Sequence, residues 1–130
     1  GDALSEEDVT VLCEFLQTEL GDGVTKVSSG KRLVNSPVIA LVPEDGMSPQ
    51  VRQMMKAMDE NFKDVVKVEL EINPRHPLVK KLSEVRESQP DVAKLVAAQL
   101  LDNALISAGL LDDARETITR MNSLMEKAMS

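Results

Sequence analysis

Val65-Val66-Lys67-Val68-Glu69-Leu70-Glu71-Ile72-Asn73-Pro74 is the stretch on which the fold turns. Val66, Val68, Leu70 and Ile72 alternate with Lys67, Glu69 and Glu71, the period-two pattern of a strand with one buried face. Asn73-Pro74 ends it, because proline brings no N–H to a ladder. Downstream, His76-Pro77 opens a helix that runs to about Ser88, with Leu78, Leu82 and Val85 as its apolar side; the His76 side chain can cap it or pack on the sheet edge. Two more helices follow, over about residues 91–108 and 112–129, with Gly109 as the left-handed stop between them and Asp112 as an N-cap. Upstream, Ser5-Glu6-Glu7-Asp8 has the form of a capping box for a helix over residues 5–20, in which Val9, Leu12, Cys13, Leu16 and Leu20 recur at helical spacing before Gly21-Asp22-Gly23. Strand-like stretches near residues 24–27, 32–34 and 37–42 lie around a turn at Ser28-Ser29-Gly30 and are expected to give two antiparallel strands. Ser48-Pro49 then starts a helix to about Asn61. The order α-β-β-α-β-α-α-α predicts an α+β fold in a single domain over residues 1–130, with a small three-stranded sheet and a helical carboxy-terminal end.

The last two helices carry more apolar surface than one small domain covers. Ala93, Ala97, Leu100, Leu101, Ala104 and Ala108 form one face of the first, while Val92, Leu95, Val96 and Ile106 occupy much of the other side. A helix apolar nearly all round must be covered on more than one side. In the second, Ala114, Ile118, Met121, Met125 and Ala128 step by four, three, four and three, an a/d seam of the kind found in helix bundles. It lasts about two heptads, too short for an isolated coiled coil, which needs roughly three or more. A hairpin packed only on its own domain and a hairpin covered by a partner both stand at this point.

Composition excludes several functions. A formal net charge of −7 and the lack of a basic stripe argue against nucleic acid, whose binding relies on Lys and Arg to displace counterions. No apolar run reaches transmembrane length, so no membrane partner is expected. Cys13 has no second cysteine to pair with, which favours a reducing compartment or a buried thiol. The chain begins at Gly1 and is read as an excised piece of a longer protein, in which any native targeting sequence would be out of view. Trp and Tyr are absent and Phe15 and Phe62 are the only aromatics, so the interior falls to Leu, Val, Ala and the seven Met.

Catalytic equipment is missing. There is no glycine-rich phosphate loop, no cysteine pair for zinc, and one histidine, so neither a catalytic nor a metal site nor a bound cofactor is expected in this chain. Cys13 sits on an apolar helix face among glutamates, a setting that opposes thiolate formation. Glu69 and Glu71 fall on the solvent face of their strand, where their role is solubility. The helix after Ser48 is different: Met47, Val51, Met54, Met55 and Met58 share one face. Methionine adapts to unlike apolar surfaces, and the stripe reads either as core or as an adaptable binding surface.

The run Leu70-Glu71-Ile72-Asn73-Pro74-Arg75-His76-Pro77-Leu78-Val79-Lys80-Lys81-Leu82 closely resembles a signature near the carboxy-terminus of the ninety-kilodalton heat-shock chaperone family. Residues 100–113 (Leu-Leu-Asp-Asn-Ala-Leu-Ile-Ser-Ala-Gly-Leu-Leu-Asp-Asp) and 118–124 (Ile-Thr-Arg-Met-Asn-Ser-Leu) resemble the family's last two helices, most of all in its mitochondrial, tumour-necrosis-factor-receptor-associated branch. The resemblance is strong from residue 65 onward and moderate before it. It implies an ATP-dependent homodimeric chaperone whose carboxy-terminal domain joins two protomers through a four-helix bundle, two helices from each. On that reading the dimer contacts are Leu95, Leu100, Ala104, Ile118, Met121, Leu124 and Met125. The family's client-facing amphipathic helix maps onto Met47, Val51, Met54, Met55 and Met58, which turns the balance toward a binding surface. ATP and Mg belong to domains of the implied parent that have no counterpart here, so this chain is not expected to be an enzyme. The ending Glu-Lys-Ala-Met-Ser lacks the terminal Glu-Glu-Val-Asp of cytosolic eukaryotic members, so tetratricopeptide co-chaperones are not expected and a mitochondrial location is, with a cytoplasmic one as the alternative. Two competing classes are a dimerisation domain of an unrelated assembly protein and a small ligand-binding enzyme domain; the parent's upstream sequence and a turnover assay discriminate them.

Overall fold

The computed structural model describes residues 3–30, 35–43, 48–61, 67–111 and 113–130. Helix α1 (Glu6–Leu20) starts at Ser5, whose Oγ accepts the Asp8 N–H at 3.1 Å, the hydroxyl half of the expected capping box. After a short 3-10 turn come β1 (Val24–Ser29) and β2 (Val38–Leu41), then α2 (Pro49–Met58) and β3 (Val68–Ile72). Three helices close the chain: α3 (Pro77–Ser88), α4 (Pro90–Ser107) and α5 (Arg115–Met129). The α+β class and the three-stranded sheet are those expected. The anticipated strand at 32–34, residues 65 and 66 of the anticipated strand that precedes Asn73, Met47 and Asp112 lie outside the described residues. Helix α2 ends at Met58 rather than near Asn61, with Asp59 as its C-cap.

The sheet order is β1-β3-β2, with β3 parallel to β1 and antiparallel to β2. This corrects the expectation that the two upstream strands form an antiparallel pair, because both ladders run to β3 instead. The reason lies in β3 itself. Val68, Leu70 and Ile72 are essentially inaccessible, and placing that strand at the centre pairs both its edges while burying its apolar face. Glu69 and Glu71 point to the other face and are half-buried. A parallel β1–β3 pair needs a long connection, and the chain between them carries β2 and α2.

Helices α1 and α4 cover the buried face of the sheet, α1 against β1 and α4 against β2, and they also touch each other. Their close approach rests on small residues: Ala93, Ala97 and Ala104 of α4 are all buried beside Leu12 and Leu16 of α1 in one cluster. Helix α3 packs on α4 through the same cluster with Val79 and Leu82. Asn73 ties the end of β3 to its surroundings. Its Oδ1 accepts the Arg75 N–H at 3.0 Å, its Nδ2 donates to the Ser36 carbonyl at 3.3 Å, and its own N–H donates to the Pro37 carbonyl at 2.8 Å. His76 Nδ1 accepts the Leu78 N–H at 3.1 Å, so His76 caps α3.

Candidate functional site

Helix α4 ends in a Schellman turn: Leu110 N–H donates to Leu105 O at 2.8 Å and Gly109 N–H to Ile106 O at 3.0 Å. Gly109 takes φ 72°, the left-handed conformation read from the sequence, and Leu110 is buried as the apolar anchor of the turn. The chain then reverses into α5. The N-cap position of α5 falls on Ala114 instead of the expected Asp112, which is among the residues not described, so the helix starts three residues later than residue 112. Asp113 serves that end, its Oδ1 accepting the Arg115 N–H at 3.0 Å and Arg115 Nε at 3.1 Å, and its Oδ2 accepting Nε at 3.0 Å and Nη2 at 2.7 Å. The Arg115 hydrogen bonds hold the Asp113 carboxyl down at about 2.

Two polar links fasten α5 to α4. Gln99 Nε2 donates to Thr117 Oγ1 and to Asn103 Oδ1, each at 2.8 Å, with Gln99 and Thr117 both buried. Arg120 donates to Asp102 where both side chains are mostly covered. Leu124 continues the same inner side and is half-buried. Sequence reading missed these links, although the signal was present: Gln99, Asp102 and Asn103 interrupt the apolar run over residues 95–106.

One residue further round α5, about 100° away, lies an uncovered row. Ile118 is 50% exposed and Met125 57%, with Met121 between them at 38%. Leu95 on α4 is half-buried and lines, with Arg115, Thr119 and Ser123, a groove of about 430 Å³ beside α5. Leu78, Val96, Leu100 and Leu124 line a smaller recess of about 210 Å³. Of the seven residues expected at a dimer contact, Leu100 and Ala104 belong to this chain's own core at 4% and 3% exposure. Ala104 sits toward β2 beside Val38 and Ala40, and Leu100 faces the recess shared with α3 and α5. Leu95 and Leu124 are partly covered, and Ile118, Met121 and Met125 are open.

Helix α2 presents the second apolar row. Ser48 Oγ accepts the Val51 N–H at 3.3 Å and Pro49 occupies the first turn, as expected. Met54 is 62% and Met58 78% exposed, and Val51 and Met55 are also open. Arg52 is the buried residue of the helix. The stripe is therefore surface, apart from Met47, which is not among the described residues. Helix α2 makes only marginal contacts with the other described elements.

Cys13 is half-buried, and desolvation pushes its thiol above the ordinary value. Among the described residues no group of three or more His, Cys, Asp or Glu is placed to hold a metal ion, and no helix is long and apolar enough to cross a membrane.

An α+β unit that displays its surplus apolar side chains on two helix rows has the surface of a protein-contact module. The Hsp90 protein family model matches residues 2–130, and the chain belongs to the Hsp90 family of heat-shock chaperones. It is 40% identical to heat shock protein 75 kDa, mitochondrial, of Bos taurus, over 99% of this chain and 19% of that protein. It is 40% identical to chaperone protein HtpG of Desulfitobacterium hafniense, over 97% of this chain and 20% of that protein. It is 35% identical to the mitochondrial TNF receptor-associated protein 1 homolog of Dictyostelium discoideum, over 99% of this chain and 18% of that protein. The chain thus spans about a fifth of the length of these curated relatives.

Proposed function

We propose that this chain is the carboxy-terminal homodimerisation domain of an Hsp90-family chaperone, with α4 and α5 pairing with the same helices of a second copy. The observation that carries this reading is the open row Ile118, Met121 and Met125 on a helix whose main packing partner is α4. Such a row is self-complementary under two-fold symmetry, the commonest arrangement of homodimers. Its task is to keep two protomers joined while other domains move, because a permanent joint makes every further contact between protomers effectively intramolecular. The Val51, Met54, Met55 and Met58 row is assigned to unfolded clients, whose varied apolar surfaces suit flexible methionines. ATP hydrolysis with Mg is assigned to a part of the parent outside these residues, and a mitochondrial location follows the heat shock protein 75 kDa and Dictyostelium relatives. Family membership removes the support for an unrelated assembly protein. Static light scattering of the chain at micromolar concentration tests the reading: the expected mass is that of two chains, and a monomer mass overturns it.

A further inference from the structure

The methionines of this chain fall into sets that differ in access. Met54 and Met58 lie one helical turn apart on α2, 62% and 78% exposed, on a helix that makes only marginal contacts with the other described elements. Met121 and Met125 lie on the row that the proposed dimer buries, although Met125, at 57%, is nearly as open as Met54 in the single protomer. Met129, 88% exposed at the end of α5 and outside the expected seam, belongs to neither. Oxidation of a thioether follows access and turns an apolar side chain into a polar one, which disrupts Met-rich contacts. The only cysteine offers poor competition, being half-buried with its thiol held protonated by desolvation.

We propose that Met54 and Met58 form a reversible oxidation site, at which peroxide-class oxidants release clients from α2 while leaving the dimer joint intact. The inference rests on the client and dimer assignments above. In each event the sulfur lone pair attacks one peroxide oxygen and the O–O bond breaks. The sulfur is oxidised by two electrons to the sulfoxide, and the second oxygen leaves as hydroxide, which takes up the transferred proton to become water. Reduction by methionine sulfoxide reductases restores the thioether. Selectivity comes from the partner copy: it shields Met121 and Met125, whereas Met54 and Met58 stay open among the described residues until a client covers them.

The test exposes the dimeric chain to hydrogen peroxide and follows each methionine by peptide mass mapping, the oligomeric state by light scattering, and binding of a fluorescently labelled, reduced and unfolded α-lactalbumin by anisotropy. Met54 and Met58 are expected to oxidise at a rate close to that of Met129 and several-fold faster than Met121 and Met125, with the dimer mass unchanged. Binding is expected to weaken on the order of tenfold, the low end of the scale for losing one buried apolar side chain. Met54→Leu with Met58→Leu keeps the apolar surface, removes the reactive sulfur, and is expected to bind equally before and after peroxide. Equal oxidation of Met54, Met58, Met121, Met125 and Met129, or a double-leucine chain as peroxide-sensitive as the parent, overturns the proposal. Binding that is present before peroxide and unaffected after Met54 and Met58 are oxidised overturns the switch alone. Absence of binding before peroxide is added brings down the client assignment, and a monomer mass before peroxide brings down the dimer assignment.

Discussion

Helices α5 and α2 display the same chemistry in different mechanical settings. Both present methionine with a β-branched residue on an open face: Ile118, Met121 and Met125 on one, Val51, Met54 and Met58 on the other. Helix α5 is fastened from behind by Thr117, Arg120 and Leu124, which meet Gln99, Asp102 and the α4 surface. Helix α2 has Arg52 as its buried residue and scarcely touches the rest of the described structure. A held row offers one fixed shape, which suits a single repeated partner. A loosely held row can adjust to many, and methionine extends that range.

The sharpest way to break the comparison is to charge the held row. Ile118→Glu with Met125→Glu is expected to weaken the dimer at least ~100-fold, since each side chain contributes about 1.5–3 kcal/mol of apolar burial. Sedimentation equilibrium checks it, with circular dichroism showing an intact fold; an unchanged dimer constant removes α5 from the interface. Next in size is the fastening. Thr117→Val deprives the buried Gln99 amide of a partner and is expected to cost about 1–3 kcal/mol in urea unfolding, whereas Thr117→Val with Gln99→Leu is expected to recover most of it. A double variant worse than the single one shows that the link does more than satisfy two polar groups.

On the loose row, Met54→Asp with Met55→Asp is expected to weaken suppression of client aggregation by the full-length chaperone. Stability should change by no more than about 0.5 kcal/mol, as for other surface substitutions. Loss of cooperative unfolding in that variant makes the stripe core and erases the contrast with α5. The smallest effect concerns Asp113 at the start of α5. Its folded pKa of about 2 lies below the ordinary 3.8, so its stabilising contribution is present above the higher value and lost as pH falls through the lower. Asp113→Asn is expected to lower helicity slightly at neutral pH, with the difference from the parent vanishing on acidification toward pH 2. The pair is fully exposed, so salt should erase the same difference. A difference that grows with acid contradicts the assignment.

Much of this arrangement is legible in the sequence. The alternation of Val68, Leu70 and Ile72, the stop at Asn73-Pro74, the caps Ser5, Ser48 and His76, and the turn at Gly109 are local signals, each read from a few neighbouring residues. Chain-distant choices were not legible. Strand spacing points to a hairpin between β1 and β2, yet β3, with Val68, Leu70 and Ile72 all inaccessible, takes the central place and pairs with both. Likewise, Leu100 and Ala104 share their helix with Leu95, and periodicity alone does not say which side the sheet will cover.

The sequence by itself determined the elements, their order, the Hsp90 family likeness and the presence of two Met-bearing helices, because propensity, capping and periodicity act within a few residues. The tertiary structure alone decided which faces stayed in water. There the sheet, α1 and α4 pack against one another, leaving the outer side of α5 and nearly all of α2 uncovered. Exposure belongs to the whole packed chain, since most of what covers a side chain comes from residues far from it in sequence.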